Sequence, residues 1–164
     1  MLVICDIDGT LFNNEHRAEF IPADKSNADN WRRFNELHIY DQPIHYRLQF
    51  LRLLDMIPGV RVVYLTGRSD EFRDETQSCL NLIQAPKGDL FMRHIDDHRP
   101  AAELKLDVIG RITHSFGTAK FALIDDDLSV CHAVAAAYKN AHIVKVPSQD
   151  CAYLATANEM ELCK

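Results

Sequence analysis

The sequence predicts an α/β protein whose central sheet is parallel. Apolar runs of strand length alternate with segments of helix length along the 164 residues, and 47% of the residues are hydrophobic. Strand–helix–strand crossovers bring successive strands into parallel order. The chain is long enough to bury one sizeable core, and its six prolines and six glycines are too few for long linkers. We therefore expect a single domain over residues 1–164.

Apolar runs predict five strands, near residues 2–7, 60–65, 89–93, 120–125 and 142–146. The intervening segments predict helices near residues 27–38, 43–57, 69–84, 100–115, 128–139 and 150–161. Pro43 suits the first position of the second helix. Four apolar residues then recur in it at helical spacing: Ile44, Leu48, Leu51 and Leu54.

Polar or acidic residues follow three of the apolar runs where each run ends. The first run ends in Asp6-Ile7-Asp8-Gly9-Thr10, the second in Thr66-Gly67-Arg68 and a later one in Asp125-Asp126-Asp127. In a parallel sheet these ends share one edge, where open α/β folds bind ligands. Up to five carboxylates would then meet, which like-charge repulsion forbids unless a cation or a proton joins them. Carboxylate ligands favour magnesium.

Each motif also has a local explanation that needs no ligand. Asp and Gly are common turn formers, so the first motif could simply close a strand. Thr66-Gly67-Arg68 could begin an ordinary helix, and the three aspartates of the later run could cap the next helix. Together the motifs favour a catalytic site, from which we leave Asp127 out.

The motifs and their order resemble the haloacid dehalogenase (HAD) superfamily of aspartate-dependent phosphohydrolases. Asp6-Ile7-Asp8-Gly9-Thr10 matches the first motif of that family, Thr66-Gly67-Arg68 the second and Asp125-Asp126 the fourth. Lys105 lies where the family has its third-motif lysine, although a lysine in a helical segment is more often a solvated side chain. The resemblance covers nearly the whole chain. It implies a Rossmann-like three-layer sandwich with a small or minimal cap insertion.

The resemblance assigns roles to the residues of the first two motifs. Asp6 would attack phosphorus and form an aspartyl-phosphate, which splits one difficult hydrolysis into two steps. Asp8 would protonate the leaving group and later take the proton back. The Thr66 hydroxyl, the Gly67 amide and the neighbouring Arg68 would bind the phosphoryl group.

A magnesium ion and a lysine would complete the site that the resemblance implies. Asp6, the backbone carbonyl of Asp8 and Asp126 would hold Mg²⁺, which offsets the repulsion between a carboxylate nucleophile and a phosphate dianion. Asp125 would support the ion through water or orient Lys105. Lys105 would neutralise the phosphoryl oxygens and restrain Asp6.

A closer resemblance is to the 3′-phosphatase domain of phage-type polynucleotide kinase/phosphatases. The segment Leu90–Pro100, with Lys105 after it, is similar to the Leu-x-Met-Arg, Asp-x-Arg and Val-Lys signature of that family, and Arg73 and Thr76 fit as well. Those phosphatases remove a 3′-phosphate from DNA, RNA or a nucleoside monophosphate. The sequence contains no G-x-x-x-x-G-K-[ST] phosphate loop, so we expect the phosphatase half without a kinase domain.

Two arginines of this signature are candidates for substrate binding. By the resemblance, Arg93 and Arg99 would face the substrate or brace the site, with Asp97 as a positioning partner. A local salt-bridge network on the surface is the alternative, because Arg and Asp at such spacing often pair there and contribute little.

The net charge of −6 counts against tight binding to long duplexes, since that affinity comes largely from neutralising phosphates. A basic patch of Arg17, Arg32, Arg33 and Arg47 could still hold a short end. Mononucleotides and nicked termini are therefore as plausible as polymers. We expect a phosphorylated nucleotide or a nucleic-acid 3′ end as the partner, and no membrane.

The polar segment 13–42 has no strand pattern of its own. Insertions directly after the first motif form caps in the superfamily, so by resemblance this segment is a small cap-like insertion over an accessible site. Trp31 and Phe34 within it are expected to anchor a helix to the body, with base stacking as the alternative.

Five cysteines without a close Cys-x-x-Cys pair favour reduced thiols, and none is a metal-ligand candidate. The first residues lack the basic region of a signal peptide, and no apolar run approaches 18 residues. We therefore expect a cytoplasmic protein, in the host cytoplasm if a phage encodes it.

The leading hypothesis is a magnesium-dependent phosphomonoesterase that removes 3′-phosphates from polynucleotide ends or nucleotides. One alternative is a 5′-nucleotidase or another small-molecule phosphatase of the same superfamily. A second alternative, from a different class, is a catalytically idle protein that binds phosphorylated partners or nucleic acid without turnover. The presence of the full set of motif residues counts against idleness.

Overall fold

The computed structural model describes residues 1–24 and 27–147. Its strands, in chain order, are β1 (Leu2–Cys5), β2 (Phe12–Asn13), β3 (Gln42–Pro43), β4 (Arg61–Ser69), β5 (Gly88–Arg93), β6 (Phe121–Asp125) and β7 (His142–Lys145). Five of them form a parallel sheet in the order β5-β4-β1-β6-β7. The short strands β2 and β3 pair with each other in antiparallel fashion.

The α-helices are α1 (Arg32–Glu36), α2 (His45–Asp55), α3 (Arg73–Leu82), α4 (Ala101–Ser115) and α5 (Leu128–Ala137). Short 3₁₀ helices cover Glu15–Phe20, Ala28–Trp31, Leu37–Tyr40 and Asp70–Phe72. The predicted α/β class with a central parallel sheet is confirmed. Among the described residues, no helix combines the length and the apolar character needed to cross a membrane.

Successive residues of β1 point to opposite faces of the sheet, and each face has its own core. Ile4 packs among side chains of α4 and α5, including Ile109 and Val130. Val3 faces the other side, where Leu51 of α2 and Leu80 of α3 cover the sheet. The sheet is therefore the middle of three layers, and β1 is buried at its centre.

The ends of β1, β4 and β6 lie side by side because β1 pairs with β4 on one flank and with β6 on the other. The register sets Cys5 opposite both Tyr64 and Ile124. The polar residues that follow these positions are thereby brought to one edge of the sheet. This is the arrangement that the sequence pattern predicted for the three motifs.

Three boundaries differ from the sequence prediction. The strand predicted for 60–65 continues to Ser69, because its pairing with β5 resumes there, opposite Arg93, after an irregularity. Pro43 lies in β3, not at the start of α2, since Phe12 pairs with it. The helix predicted for 27–38 is broken into a 3₁₀ turn, the five-residue α1 and another 3₁₀ turn.

Other predicted strands and helices agree with the structure to within a few residues. The helix predicted for 150–161 lies outside the described residues, as do Cys151 and Cys163. Cys5, Cys79 and Cys131 are free thiols.

Leu51 and Leu53 of α2 offer a matched test of the core. Leu51 is fully buried, whereas the side chain of Leu53 is 62% exposed. We expect Leu51→Ala to lower the free energy of unfolding by about 2–5 kcal/mol, because it removes buried methyl groups and leaves a cavity. Leu53→Ala should change it by less than about 0.5 kcal/mol. Urea denaturation of both variants measures the difference, and equal losses would contradict the assigned face of α2.

Candidate active site

A buried lysine joins two carboxylates at the edge of the sheet. Asp6 follows β1 directly, and its amide donates to the Ile124 carbonyl at 2.9 Å. Lys105 reaches across from α4, where its Nζ donates to Asp6 Oδ1 at 2.8 Å and to Asp125 Oδ2 at 2.7 Å. Burial alone would lower the pKa of Lys105, but the two carboxylates hold it above its usual value. The structure therefore brings the third-motif lysine into contact with both acidic motifs.

Asp6, Asp125 and Asp126 form an acidic triad. Each offers a carboxylate oxygen within 4.8 Å of the others. Burial and the neighbouring carboxylates Asp125 and Asp126 raise the pKa of Asp6 against the opposing effect of Lys105, and burial with the charge of Asp125 raises the pKa of Asp126 to about 6. Such a cluster could hold a metal ion, because a cation relieves both the repulsion and the missing solvation.

Gly9 and Thr10 pack against the Asp126 carboxylate of the triad. Gly9 has a φ of +69°, and a Cβ there would overlap the carboxylate of Asp126. A side chain at this position is therefore excluded both by backbone conformation and by space. The Thr10 hydroxyl donates to Asp126 Oδ1 at 3.4 Å. The Gly-Thr turn of the first motif thus fits against the fourth motif.

Asp8 lies with arginines instead of with the acidic triad. Arg68 Nε donates to its Oδ2 at 2.8 Å, Arg68 Nη2 donates to its Oδ1 at 2.8 Å, and Arg17 Nη2 also donates to Oδ1. The Thr66 hydroxyl donates to Asp8 Oδ2 at 3.1 Å. Burial alone would raise the pKa of Asp8, but Arg68 and Arg17 hold it well below the usual range. In this arrangement Asp8 is ionised.

Arg17 and Arg47 do not form the surface patch that we predicted from the sequence. Arg17 is fully buried, and Arg47 donates to the carbonyls of Gly9 and Thr10 at 2.5 and 3.3 Å. Arg47 also donates to the Pro147 carbonyl at 2.6 Å. The prediction was wrong because both arginines find backbone or carboxylate acceptors inside the protein. An arginine can donate to several such acceptors at once. The other two arginines of the predicted patch, Arg32 and Arg33, are exposed.

Asp41 is a part of the site that the sequence did not reveal. Its carboxylate accepts from Arg17 Nε at 2.8 Å and from Arg68 Nη2 at 3.2 Å. Arg17 and Asp41 lie 24 residues apart, and no motif or spacing links them in the sequence. The signal that could have drawn attention to Arg17 is its place shortly after the first motif.

Arg93 braces the loop of the second motif. Its Nε donates to the Gly67 carbonyl at 3.1 Å, while Nη1 donates to the carbonyls of Asp97 and Arg99 at 2.9 and 2.7 Å. Arg99 instead pairs through Nη2 with Asp97 at 2.6 Å and with Asp107 at 3.1 Å, and its side chain is 43% exposed. The local salt-bridge network considered as an alternative is therefore present around Arg99.

The remaining predicted side chains have local structural contacts. Asp127 caps α5, where its carboxylate accepts from the Ser129 amide at 2.7 Å. Trp31 and Phe34 make an edge-to-face contact with ring centroids 5.5 Å apart. The guanidinium group of Arg17 stacks over the Phe34 ring, 3.9 Å from its centroid. These contacts fit the interpretation of the two aromatic residues as anchors.

The fold, the acidic triad and the buried lysine agree with the HAD-type phosphatase that the sequence predicted. Residues 1–137 match the model of the polynucleotide kinase PNKP phosphatase domain, and the chain belongs to this family of phosphatase domains. The predicted resemblance is thereby confirmed. No match was found among curated protein sequences.

Three solved structures have the same fold. Two are structures of Pnkp1/Rnl/Hen1 complexes, one of them described as an RNA repair complex; they show TM-scores of 0.64 and 0.66 at 22% and 23% identity. They cover 89% and 91% of this chain, which spans only 45% and 43% of theirs. The third, a HAD family enzyme of Bacteroides thetaiotaomicron in complex with magnesium and inorganic phosphate, has a TM-score of 0.55 at 12% identity, with coverage of 94% and 98%.

Replacement of Lys105 tests the charge balance of the site. Lys105→Met should lower the free energy of unfolding by about 3–5 kcal/mol at pH 8 in buffer with a chelator of divalent cations, because it leaves buried carboxylates uncompensated. The loss should shrink at pH 5. Without the ammonium group the folded-state pKa of Asp6 lies further above its unfolded value, so the penalty is absent below the unfolded pKa and complete above the folded one.

Arg111→Met is the matched control, since Arg111 is an exposed cation on the same helix. It should change stability by less than about 0.5 kcal/mol at either pH. Chemical denaturation at both pH values checks these expectations. A Lys105→Met variant as stable as the control would show that Lys105 does not compensate the two aspartates.

Proposed function

We propose that this chain is a magnesium-dependent phosphomonoesterase that acts through an aspartyl-phosphate and removes 3′-phosphates from polynucleotide ends or nucleotides. The observation that carries the proposal is the contact of Asp6 with Lys105 inside the acidic triad. Lys105 binds the Oδ1 oxygen of Asp6 and leaves the Oδ2 oxygen for attack on phosphorus. Membership of the polynucleotide kinase phosphatase family supports the choice of a 3′-phosphate.

In the first step, Asp6 Oδ2 attacks phosphorus, and the bond from phosphorus to the leaving oxygen breaks. Asp8 donates a proton to that oxygen, so an alcohol departs and an aspartyl-phosphate remains. In the second step, Asp8 takes a proton from water, which attacks phosphorus. Inorganic phosphate leaves and the Asp6 carboxylate is restored.

Asp8 must gain a proton before it can act as an acid. Arg17 and Arg68 favour its ionised form before substrate binds. A bound phosphate dianion places negative charge beside Asp8. This charge favours the neutral carboxyl, so the pKa of Asp8 rises when the substrate enters.

Mg²⁺ would be held by Asp6, Asp126 and the Asp8 carbonyl. Asp125 would support the ion through water or orient Lys105. When bound, the ion would neutralise charge on the phosphoryl oxygens and so allow one anion to approach another. The residues fit this role, since the triad supplies three carboxylates and Asp126 has a raised pKa that a cation would lower.

The phosphoryl oxygens would be bound by the Thr66 hydroxyl, the Gly67 amide and Lys105. Arg68, which we expected to join them, is buried and donates to Asp8 instead. Arg93 acts indirectly in this proposal, because it fixes the Gly67 carbonyl. Arg99 has an exposed side chain, paired with Asp97 and Asp107, and would meet the rest of a nucleotide. We keep residues 1–164 as one domain, with 13–42 as a cap-like insertion.

Phosphate release from a panel of substrates tests the proposed function. We expect release from 3′-nucleoside monophosphates and a 3′-phosphorylated oligonucleotide in the presence of magnesium, with 5′-monophosphates as poorer substrates. Asp6→Asn should reduce the rate by at least about 10³-fold, because it removes the nucleophile but keeps the shape. Its melting temperature should confirm that it remains folded.

Other outcomes of the panel are equally informative. A preference for 5′-monophosphates or for phosphoesters without a base would retain the mechanism and reject the 3′ specificity. Appreciable turnover by Asp6→Asn would reject the covalent route. No release from any substrate would favour a binding protein without turnover.

Magnesium should stabilise the protein more at pH 8 than at pH 5. The pKa of Asp126 is about 6, so at pH 5 a large share of molecules must lose a proton before the ion binds. At ten times the dissociation constant, the ion contributes about 1.4 kcal/mol, which corresponds to a few degrees in Tm. Thermal melting with and without magnesium at both pH values measures this shift.

Asp127→Asn and Asp126→Asn form a matched pair for the same experiment. Asn caps helices about as well as Asp, so Asp127→Asn removes a charge beside the triad and preserves the cap. It should keep most of the magnesium shift, whereas Asp126→Asn should lose most of it. An equal shift in both variants would place the ion elsewhere.

A further inference from the structure

Asp41 lies behind Asp8, on the far side of two arginines. Its side chain is fully buried, whereas the side chain of Asp8 is 20% exposed. Arg17 and Arg68 contact both carboxylates. The four groups therefore form a continuous network that runs from the interior of the protein to the opening of the site.

Asp41 contacts both guanidinium groups, Arg17 through two nitrogens and Arg68 through one. Arg17 donates to it from two nitrogens, Nε to Oδ1 at 2.8 Å and Nη2 to Oδ2 at 2.5 Å. Arg68 Nη2 donates to Oδ2 at 3.2 Å and to Asp8 Oδ1 at 2.8 Å. His16 Nε2 lies 2.9 Å from Asp41 Oδ1. A paired contact of this kind sets the plane of a guanidinium group as well as its position.

The charges of the network balance only when Asp41 is counted. Two cations face two carboxylates, and the arginines share Asp41 Oδ2 and Asp8 Oδ1. Without Asp41, two buried guanidinium groups would meet at one carboxylate and repel each other. They would then separate and carry Asp8 away from its present orientation.

We propose that Asp41 is a positioning residue, which holds Arg17 and Arg68 so that the Asp8 carboxyl points at the leaving oxygen of the substrate. The inference rests on the proposed phosphatase activity. Asp41 does not touch the substrate and acts only through the two arginines. The segment 13–42 therefore supplies part of the orientation of the catalytic acid.

The test compares leaving groups in the Asp41→Asn variant. Its kcat/KM on a 3′-nucleoside monophosphate, an alkyl phosphate, should fall by about 10- to 100-fold, as expected for a misplaced catalytic group. On 4-nitrophenyl phosphate, whose leaving group needs little protonation, the loss should stay below about threefold. Asp8→Asn should show the same selectivity. Asp55→Asn, an exposed aspartate of α2, is the control and should match the wild type on both substrates.

A double variant separates positioning from a general structural effect. Once Asp8 is replaced, the orientation of its side chain no longer matters. Addition of Asp41→Asn to the Asp8→Asn variant should therefore lower kcat/KM on the alkyl phosphate by less than about threefold. For any one variant, the ratio of kcat/KM on the alkyl phosphate to kcat/KM on the aryl phosphate is independent of the folded fraction of the preparation. This ratio can therefore be measured even if the variant is partly unfolded. Asp41→Glu keeps the charge but lengthens the side chain, and it serves as a second test variant. Its losses on the alkyl and the aryl phosphate should differ less than those of Asp41→Asn.

Equal losses on the alkyl and the aryl phosphate in both Asp41 variants would overturn the proposal and leave Asp41 a purely structural role. Additive effects of Asp41→Asn and Asp8→Asn would do the same. If the wild type hydrolyses neither substrate, the proposed function itself fails. If Asp8→Asn shows the leaving-group selectivity and Asp41→Asn does not, only this inference fails.

Discussion

The repulsion among four aspartates at one edge of a parallel sheet is the constraint to which the rest of this structure responds. The pairing of β1 with β6 brings together Asp6, Asp8, Asp125 and Asp126. Buried carboxylates cannot stay ionised side by side unless cations or hydrogen-bond donors offset their charge. A lysine compensates two of the four and arginines compensate a third, while the fourth keeps a raised pKa, and these differences divide the site into parts with separate chemistry.

Lys105 serves one part of the site and the arginines serve the other. The lysine is shared by Asp6 and Asp125, so it orients both carboxylates together. Asp8 takes its compensation from Arg68 and Arg17, which hold it apart from the acidic triad. Asp126 accepts from the neutral Thr10 hydroxyl and has a raised pKa. The uncompensated charge is thus concentrated where a cation and a phosphate would meet.

The sequence predicted the central sheet and the acidic edge because both depend on local patterns. An apolar run that ends in Asp or Thr-Gly marks the end of a strand, and parallel order alone brings such ends together. The family was also predicted from motif order, and the match over residues 1–137 confirms it. Even Lys105, which has no local signal of burial, was found from its place between two motifs.

The network around Asp41 escaped prediction for a physical reason. Arginine is seldom buried, so Arg17 was assigned to the surface. Its burial depends on Asp41 and Phe34, which the fold brings to it from later in the chain. The broken helix near 27–38 has the same origin, since turns that direct Phe34 and Asp41 inward replace a regular helix. Tertiary contacts of this kind leave no periodic pattern in the sequence.

Buried ion pairs usually contribute little to stability beyond what apolar residues of similar size would provide, yet removal of one partner is costly. Arg17 and Asp41 stand near the two ends of the segment 13–42, so movement of the whole segment would break the contacts of both. Such an opening would leave charges unpaired in the interior and would release Asp8. The described ends of the segment, which carry Arg17 and Asp41, are therefore held against the site. Gly67 and Asp126 are partly exposed and lie where the site opens to solvent, whereas Arg17 and Asp41 are buried.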